Sequence, residues 1–173
     1  MRQVRRLFTL VSRGRANRSS ICVPHLTLEI LYPPLPDLES LKLAIARTAE
    51  SRPPHQVPAI GVVIGEPGGA ISIELALTPE LAELRGALAA ALRQVGAKPH
   101  PEPVESWRPH LSVAGREEPG GEGRAVAHGD PAVVGYRFTV DSLCLSLPAE
   151  TTGQFVEIGP YPLGKDDALS TRR

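Results

Sequence analysis

The sequence has few aromatic residues and few cysteines, and it has no long apolar run. Phe, Trp and Tyr make up only 4% of the 173 residues, so a folded core must consist mainly of aliphatic side chains. No apolar stretch approaches the roughly 20 residues that a membrane-spanning helix needs. The two cysteines, Cys22 and Cys144, are too few and too far apart in sequence for a disulfide framework. These absences predict a cytoplasmic protein with two ordinary thiols.

The chain also lacks a net charge. Nineteen basic residues balance nineteen acidic ones, which argues against a protein that grips long duplexes by charge alone. The balance is uneven, because Glu29 is the first acidic residue and the segment before it carries six arginines. An acid-free, Arg-rich start is also found in mitochondrial transit peptides. The strand-like pattern of Val4–Val11 favours a basic strand and loop instead.

Helical and strand-like segments alternate along the chain. With 18 prolines and 16 glycines, a chain of this length predicts one turn-rich domain or two small lobes. Apolar residues recur at helical spacing in Leu38–Glu50 and Pro79–Val95, which follow the capping residues Asp37 and Thr78. Strands are predicted at Arg6–Val11, Val23–Tyr32, Ile60–Ile64, Ala70–Leu77, Arg108–Ala114, Tyr136–Leu147 and Gln154–Ile158. This order favours an α+β fold with largely antiparallel sheets, including a hairpin around Gly65–Gly69.

One short pattern occurs twice. Pro24-His25-Leu26-Thr27-Leu28 is repeated in the second half of the chain as Pro109-His110-Leu111-Ser112-Val113. Each copy reads proline, histidine, apolar, hydroxyl, apolar, and each lies in a predicted strand. Because side chains alternate faces along a strand, the histidine and the hydroxyl residue of each copy share one face. The apolar residues face the other way and can anchor the strand.

Two histidines and two hydroxyl residues suit phosphodiester chemistry. One imidazole can accept a proton from the nucleophile while the other delivers a proton to the leaving oxygen. Thr27 and Ser112 can donate hydrogen bonds to the nonbridging phosphate oxygens. A lone strand histidine is usually structural, and it is the second copy that favours a functional site. A two-histidine metal site is the alternative, but neither copy has a third histidine or a carboxylate at ligand spacing, apart from Glu29.

The paired motifs at His25 and His110 resemble the H-x-[ST]-x signatures of the two-histidine (2H) phosphoesterase superfamily. Within it, the chain is most similar to the 2'-5' RNA ligase-like, or RNA 2',3'-cyclic phosphodiesterase, family. The pattern of Phe138–Leu145, followed by Tyr161–Gly164, is also similar to the ending of that family. The resemblance extends over about Arg6–Gly164.

The resemblance implies a bilobal fold in which two pseudo-symmetric lobes, each an antiparallel sheet backed by helices, flank an active-site cleft. The halves would span about 21–96 and 104–164 of a single domain, and 165–173 would form a polar tail. The implied enzyme is a monomer that needs neither metal nor cofactor and opens 2',3'-cyclic phosphates of RNA ends or nucleotides to 2'-phosphates. Its catalytic pair would be His25 and His110, one as base and the other as acid, and Thr27 and Ser112 would hold the phosphate. His110 is the preferred base, and the similarity of the two copies leaves the reverse assignment open.

Two other functions are compatible with the same residues. One is hydrolysis or ligation of 2'-5' linkages, or hydrolysis of another cyclic phosphate. The other is a non-catalytic module that binds a nucleotide or RNA. The intact histidines and hydroxyl residues of both copies favour an enzyme, since binding alone does not require two proton-transfer groups.

Three further residues are candidates for substrate binding. Arg108 lies two positions before His110, so alternation puts it on the same face, where it can pair with phosphate. Trp107 is the only tryptophan and can stack on a base. Arg18 belongs to the basic segment that leads to the first motif. Glu29 is expected to be a surface carboxylate, and pairing with Arg108 is the alternative.

Replacing Arg13, Arg15 and Arg18 together with alanine tests whether the basic segment binds RNA. We expect weaker binding to a short oligonucleotide and a shallower dependence of the binding constant on salt, because fewer counterions are released when fewer phosphates are contacted. The binding constant is measured over a series of salt concentrations. An unchanged salt slope would refute a role for these arginines.

Overall fold

The computed structural model describes residues 25–64, 71–114, 134–148 and 155–164. Their elements in chain order are β1 (Leu31–Tyr32), α1 (Leu38–Glu50), β2 (His55–Ile64), β3 (Ile71–Leu75), α2 (Pro79–Gln94), β4 (Lys98–Pro99), β5 (His110–Ala114), β6 (Arg137–Val140), β7 (Ser142–Pro148) and β8 (Phe155–Pro162). The predicted strand Arg6–Val11, the candidate Arg18 and the tail 165–173 lie outside the described residues.

The predicted α+β class with antiparallel sheets is confirmed. One sheet has four strands in the order β5-β3-β2-β6, and two further sheets have two strands each, β1-β4 and β7-β8. The pairings β1–β4, β2–β3, β3–β5 and β7–β8 are all antiparallel. β2 and β3 form the predicted hairpin, although β2 begins at His55 rather than Ile60. The strand continues through Pro58, whose carbonyl oxygen accepts a hydrogen bond from the backbone N–H of Ala76 at 2.9 Å.

The contacts between residues divide the chain into two compact units. The first unit comprises the described residues of Met1–Leu28, Gln56–Thr78 and Trp107–Phe138, and the second comprises those of Glu29–His55, Pro79–Ser106 and Thr139–Arg173. Both copies of the repeated motif therefore belong to the first unit. The pseudo-symmetric halves 21–96 and 104–164 stay a prediction, since a division by contacts does not test for a symmetry axis.

The first unit has a mainly aliphatic core, as the shortage of aromatic residues predicts. Its buried apolar side chains are Val57, Ala59, Ile73, Leu75, Trp107, Leu111 and Phe138. In β3 the burial alternates, because Ile73 and Leu75 are buried while Ser72 and Glu74 are only half-buried. This period of two is that of a strand with one face toward a core, and it leaves polar side chains on the opposite face of the sheet.

The second unit is built on the two helices. α1 packs against α2 and against both strands of the β7–β8 hairpin. The Asp37 carboxylate caps α1 by accepting a hydrogen bond from the backbone N–H of Ser40 at 2.9 Å, and hydrogen bonding to Ser40 lowers the pKa of Asp37. α2 starts at Pro79 and is followed by Gly96 with φ 85°, the conformation expected at a helix end. Neither described helix has the length and apolar character needed to cross a membrane.

The prediction of one continuous strand over Val23–Tyr32 is wrong for the described part of that segment. Leu26 forms an isolated antiparallel bridge with Leu111, whereas β1 pairs with β4. The chain thus changes partners, and it passes from the first unit to the second between Leu28 and Glu29. Alternating apolar residues predict an extended segment, but they do not show that its two ends pair with different strands.

The Glu29 side chain is buried, contrary to the expectation of a surface carboxylate. Its Oε1 lies 3.0 Å from Nε of Arg85 on α2, and the two side chains are only 5% and 3% exposed. Arg85 also donates from Nη2 to the carbonyl oxygen of Glu102 at 3.2 Å. Burial raises the pKa of Glu29, and the charge and hydrogen bond of Arg85 counteract part of that rise. The alternation of side chains in the sequence does not reveal this ion pair, because Glu29 and Arg85 are distant along the chain.

Glu29→Ala is expected to lower the free energy of unfolding by about 3–5 kcal/mol, because it leaves the guanidinium of Arg85 buried without the Glu29 carboxylate. Urea denaturation at neutral pH measures the change. The double variant Glu29→Leu/Arg85→Met should recover most of the loss, since it removes both charges from the interior.

The exposed pair of Arg52 and Glu83 provides a matched control. Its atoms Nη1 and Oε2 are also 3.0 Å apart, but the side chains are 35% and 66% exposed. Glu83→Ala should therefore lower the free energy of unfolding by about 1 kcal/mol or less. Equal losses in Glu29→Ala and Glu83→Ala would contradict the importance of burial.

Candidate active site

The two copies of the repeated motif lie side by side in the first unit. Leu26 of the first copy pairs with Leu111 of the second in an antiparallel bridge. Leu111 also pairs on its other side with Ile73 of β3. β5 is therefore flanked by β3 on one side and by the segment 25–28 on the other. Two patterns from opposite halves of the sequence become direct neighbours.

The register of this bridge specifies which motif residues oppose each other. In an antiparallel pair, the residue after Leu26 lies opposite the residue before Leu111, so Thr27 is next to His110. By the same rule His25 lies opposite the backbone of Ser112. The two histidines are then diagonal neighbours, a relation in which Cα atoms are about 7–8 Å apart. A phosphate group is small enough to be contacted by both imidazoles at that separation.

Burial separates the two faces of this pair. Leu111 is 5% exposed and its partner Ile73 on β3 is 1% exposed, whereas His25, Thr27 and His110 are exposed. Leu111 anchors β5 to the core and Leu26 is half-buried, whereas the histidines and Thr27 stand on the accessible face. This is the alternation that the sequence predicts.

The local geometry of His110 determines which of its ring nitrogens is available. Its Nδ1 lies 3.0 Å from the carbonyl oxygen of Arg108. A carbonyl oxygen can only accept a hydrogen bond, so Nδ1 is the protonated nitrogen and donates to it. In the neutral ring Nε2 then carries the free lone pair. This tautomer leaves Nε2 of His110 available to accept a proton.

Glu74 is a polar residue of this site that the sequence analysis missed. It lies opposite His110 in the β3–β5 register, and its Oε1 is 3.5 Å from Nη1 of Arg108. Opposed residues of an antiparallel pair share a face, so Glu74 and His110 stand on the same side of the sheet. In the sequence, Ser72 and Glu74 alternate with the apolar residues Ile73 and Leu75, which indicates that Glu74 lies on the polar face of its strand. Only the strand order shows that this strand is next to β5 and His110.

The other predicted site residues have different environments. The Arg108 side chain is 85% exposed and lies beside Glu74, not Glu29. Trp107 is only 8% exposed, so its ring packs within the first unit; stacking on a base stays a prediction. The backbone of Ser112 pairs with Ser72 of β3. Within the described ranges, no group of three or more His, Cys, Asp or Glu residues is arranged to hold a metal ion.

Comparison with known proteins identifies one family. The profile of the 2'-5' RNA ligase superfamily matches residues 6–150, a span that includes both motifs. A search of curated proteins finds no match to the sequence.

Several solved structures have a similar fold. E. coli LigT complexed with 3'-AMP superposes with a TM-score of 0.59 at 16% identity, covering 93% of this chain and 91% of LigT. LigT complexed with NADP+ gives a TM-score of 0.56 at 14% identity, with coverages of 95% and 93%. A crystal structure described as a phosphoesterase gives 0.54 at 16% identity, with coverages of 88% and 82%. At these identities the similarity concerns the fold.

Two neighbouring substitutions test the separation of faces. Leu111→Ala is expected to lower the free energy of unfolding by about 2–5 kcal/mol, because it removes a buried side chain and leaves a cavity. His110→Ala should change it by about 0.5 kcal/mol or less, since the imidazole is exposed. Urea denaturation followed by circular dichroism measures both. Comparable losses in the two variants would place His110 in the core and contradict the proposed site.

Proposed function

This chain belongs to the 2'-5' RNA ligase superfamily, and membership supports a phosphodiesterase-type activity. We propose that the protein opens 2',3'-cyclic phosphates of RNA ends or nucleotides to 2'-phosphates, and that it does so without a metal. The observation that carries the proposal is the Leu26–Leu111 pairing. This pairing supports the proposal because it makes His25 and His110 diagonal neighbours on one exposed face, beside Thr27. LigT has a similar fold and has been crystallised with the nucleotide 3'-AMP, which is in keeping with a nucleotide-like substrate.

In the proposed reaction, His110 acts as the base. Its Nε2 accepts a proton from water as the water oxygen attacks phosphorus. The hydrogen bond from Nδ1 to the Arg108 carbonyl oxygen holds the ring in place and stabilises the imidazolium that forms. Such a positioned base contributes about 10²–10⁴-fold to the rate.

His25 acts as the acid in the same step. The bond between phosphorus and the ribose O3' breaks, and His25 donates its proton to O3', which leaves a 3'-hydroxyl and a 2'-phosphate. Negative charge develops on the nonbridging oxygens during the attack, and hydrogen bonds from Thr27 and Ser112 would stabilise it. Protons balance over the step, because the one that His110 gains equals the one that His25 loses.

A second activity of the same site follows from the family. The superfamily is named for 2'-5' RNA ligation, and opening or forming a 2'-5' linkage uses the same two proton transfers at phosphorus. The cyclic phosphate is the favoured substrate because its attack requires only water and a site for one phosphate. A 2'-5'-linked dinucleotide serves as the competing substrate in the test below.

Activity toward a 2',3'-cyclic nucleotide in excess EDTA tests the proposal. We expect turnover to a 2'-phosphate, identified by chromatography against the 2'- and 3'-phosphate standards. His25→Ala and His110→Ala should each reduce kcat by at least about 100-fold, the lower range for loss of a general acid or base. If the unaltered protein bound the cyclic nucleotide without turnover, the proposed enzymatic function would be refuted. Faster cleavage of the 2'-5' dinucleotide than of the cyclic nucleotide would favour the second activity.

His55 provides a matched control for the histidine variants. Its Nδ1 lies 3.3 Å from the carbonyl oxygen of Pro53, two positions earlier, which is the same local arrangement as in His110. It belongs to the second unit, whereas both motifs belong to the first. His55→Ala should therefore retain activity, and a loss equal to that of His110→Ala would contradict the assignment.

A further inference from the structure

Building on the proposed function, we propose that Arg108, oriented by Glu74, forms a second anion-binding subsite that takes a further phosphate of the substrate. The favoured substrate is then a cyclic phosphate end that carries another phosphate, as the end of an RNA strand does, rather than a cyclic nucleoside phosphate alone. The subsite depends on the positions of the cyclic phosphate and of the Arg108 guanidinium, which lie toward different neighbours of β5.

The cyclic phosphate and Arg108 belong to opposite sides of β5. The paired motifs bring together β5 and the segment 25–28. Glu74 is on β3, the other neighbour of β5, and it draws the guanidinium of Arg108 toward that side. Adjacent strands are about 4.8 Å apart, so β3 and the segment 25–28 are separated by about 10 Å. One phosphate held between the motifs is therefore not the natural ligand of Arg108.

Arg108 retains donors for a second anion. Its side chain is 85% exposed, and its contact with Glu74 uses Nη1 at 3.5 Å, whereas a guanidinium carries five N–H donors. An exposed ion pair of this kind contributes little stability, so Glu74 orients Arg108 without withdrawing it from solvent. A phosphate that reaches the guanidinium gains charge-assisted hydrogen bonds in a geometry that suits arginine.

The position along β5 also suits a second phosphate of one strand. Arg108 precedes His110 by two positions, which is a rise of about 6.6 Å in an extended chain. A ribose with a 2',3'-cyclic phosphate carries its next phosphate on the 5' side of the same nucleotide. A group bound beside His110 thus has its 5'-phosphate within reach of the neighbouring arginine.

Three substrates separate this inference from the proposed function. They are adenosine 2',3'-cyclic phosphate, the same nucleoside with an added 5'-phosphate, and an adenosine dinucleotide that ends in the cyclic phosphate. We expect kcat/KM to be about tenfold higher for the two substrates with a second phosphate, through a lower KM, as one charged hydrogen bond provides. A preference for the dinucleotide alone would assign the subsite to the internucleotide phosphate.

Substitutions of Arg108 and Glu74 test whether these residues cause the preference for a second phosphate. Arg108→Ala should reduce the preference in kcat/KM to about twofold or less. Glu74→Ala should reduce it by about threefold, because the guanidinium loses its orientation, and Glu74→Gln should preserve it, because the amide oxygen still accepts a hydrogen bond from Arg108. Arg137→Ala is the control, since Arg137 is an exposed arginine of the same unit on β6, at the opposite edge of the four-stranded sheet.

The outcomes are distinct. Equal kcat/KM for all three substrates, an unchanged preference in Arg108→Ala, or an equal loss in Arg137→Ala would overturn the subsite and leave the proposed function intact. No turnover of any of the three would overturn the proposed function itself. A loss in Glu74→Ala that persists in the Arg108→Ala background would show that Glu74 acts on the substrate by another route and would refute its positioning role.

Discussion

The antiparallel pairing of Leu26 with Leu111 determines which side chains share a surface in the first unit. Leu111 and its neighbour Ile73 on β3 are buried in the core, and the paired Leu26 is half-buried in the same row. The residues on either side of each leucine must then face outward, because side chains alternate along a strand. A slip of the register by one residue would turn the imidazoles inward and the leucines outward. The arrangement of the proposed site therefore depends on the packing of residues that take no part in its chemistry.

The Glu29–Arg85 ion pair holds the chain at the position that directly follows the first motif. Glu29 follows Leu28 directly, and its carboxylate is buried against a helix of the second unit. A buried ion pair adds little net stability, because removing both charges from water costs about as much as their attraction returns. It does penalise arrangements that leave either charge alone in the interior. The pair thus selects one conformation of the chain immediately after the first motif.

The sequence predicted the elements of the fold better than their pairing. Helices α1 and α2 have periodic apolar residues, a capping Asp37 and a terminal Gly96, and all of these signals are local. The motif histidines were proposed as site residues because the same five-residue pattern occurs twice. Glu29 and Glu74 were misjudged or missed because their roles depend on Arg85 and Arg108, which are distant in sequence. The strand order β5-β3-β2-β6 is set by such long-range contacts, and a single sequence does not display them.

The long segment between the two motifs also affects how the site is acquired during folding. Closing a loop that spans about half the chain costs conformational entropy before any native contact compensates for it, and contacts of high sequence separation slow folding. On a ribosome, the first motif is complete long before its partner strand has been synthesised. The exposed face that carries the histidines therefore cannot form in a nascent chain that ends before β5. A fragment of this kind has the local signals of the helices, but it lacks the paired motifs on which the proposed site depends.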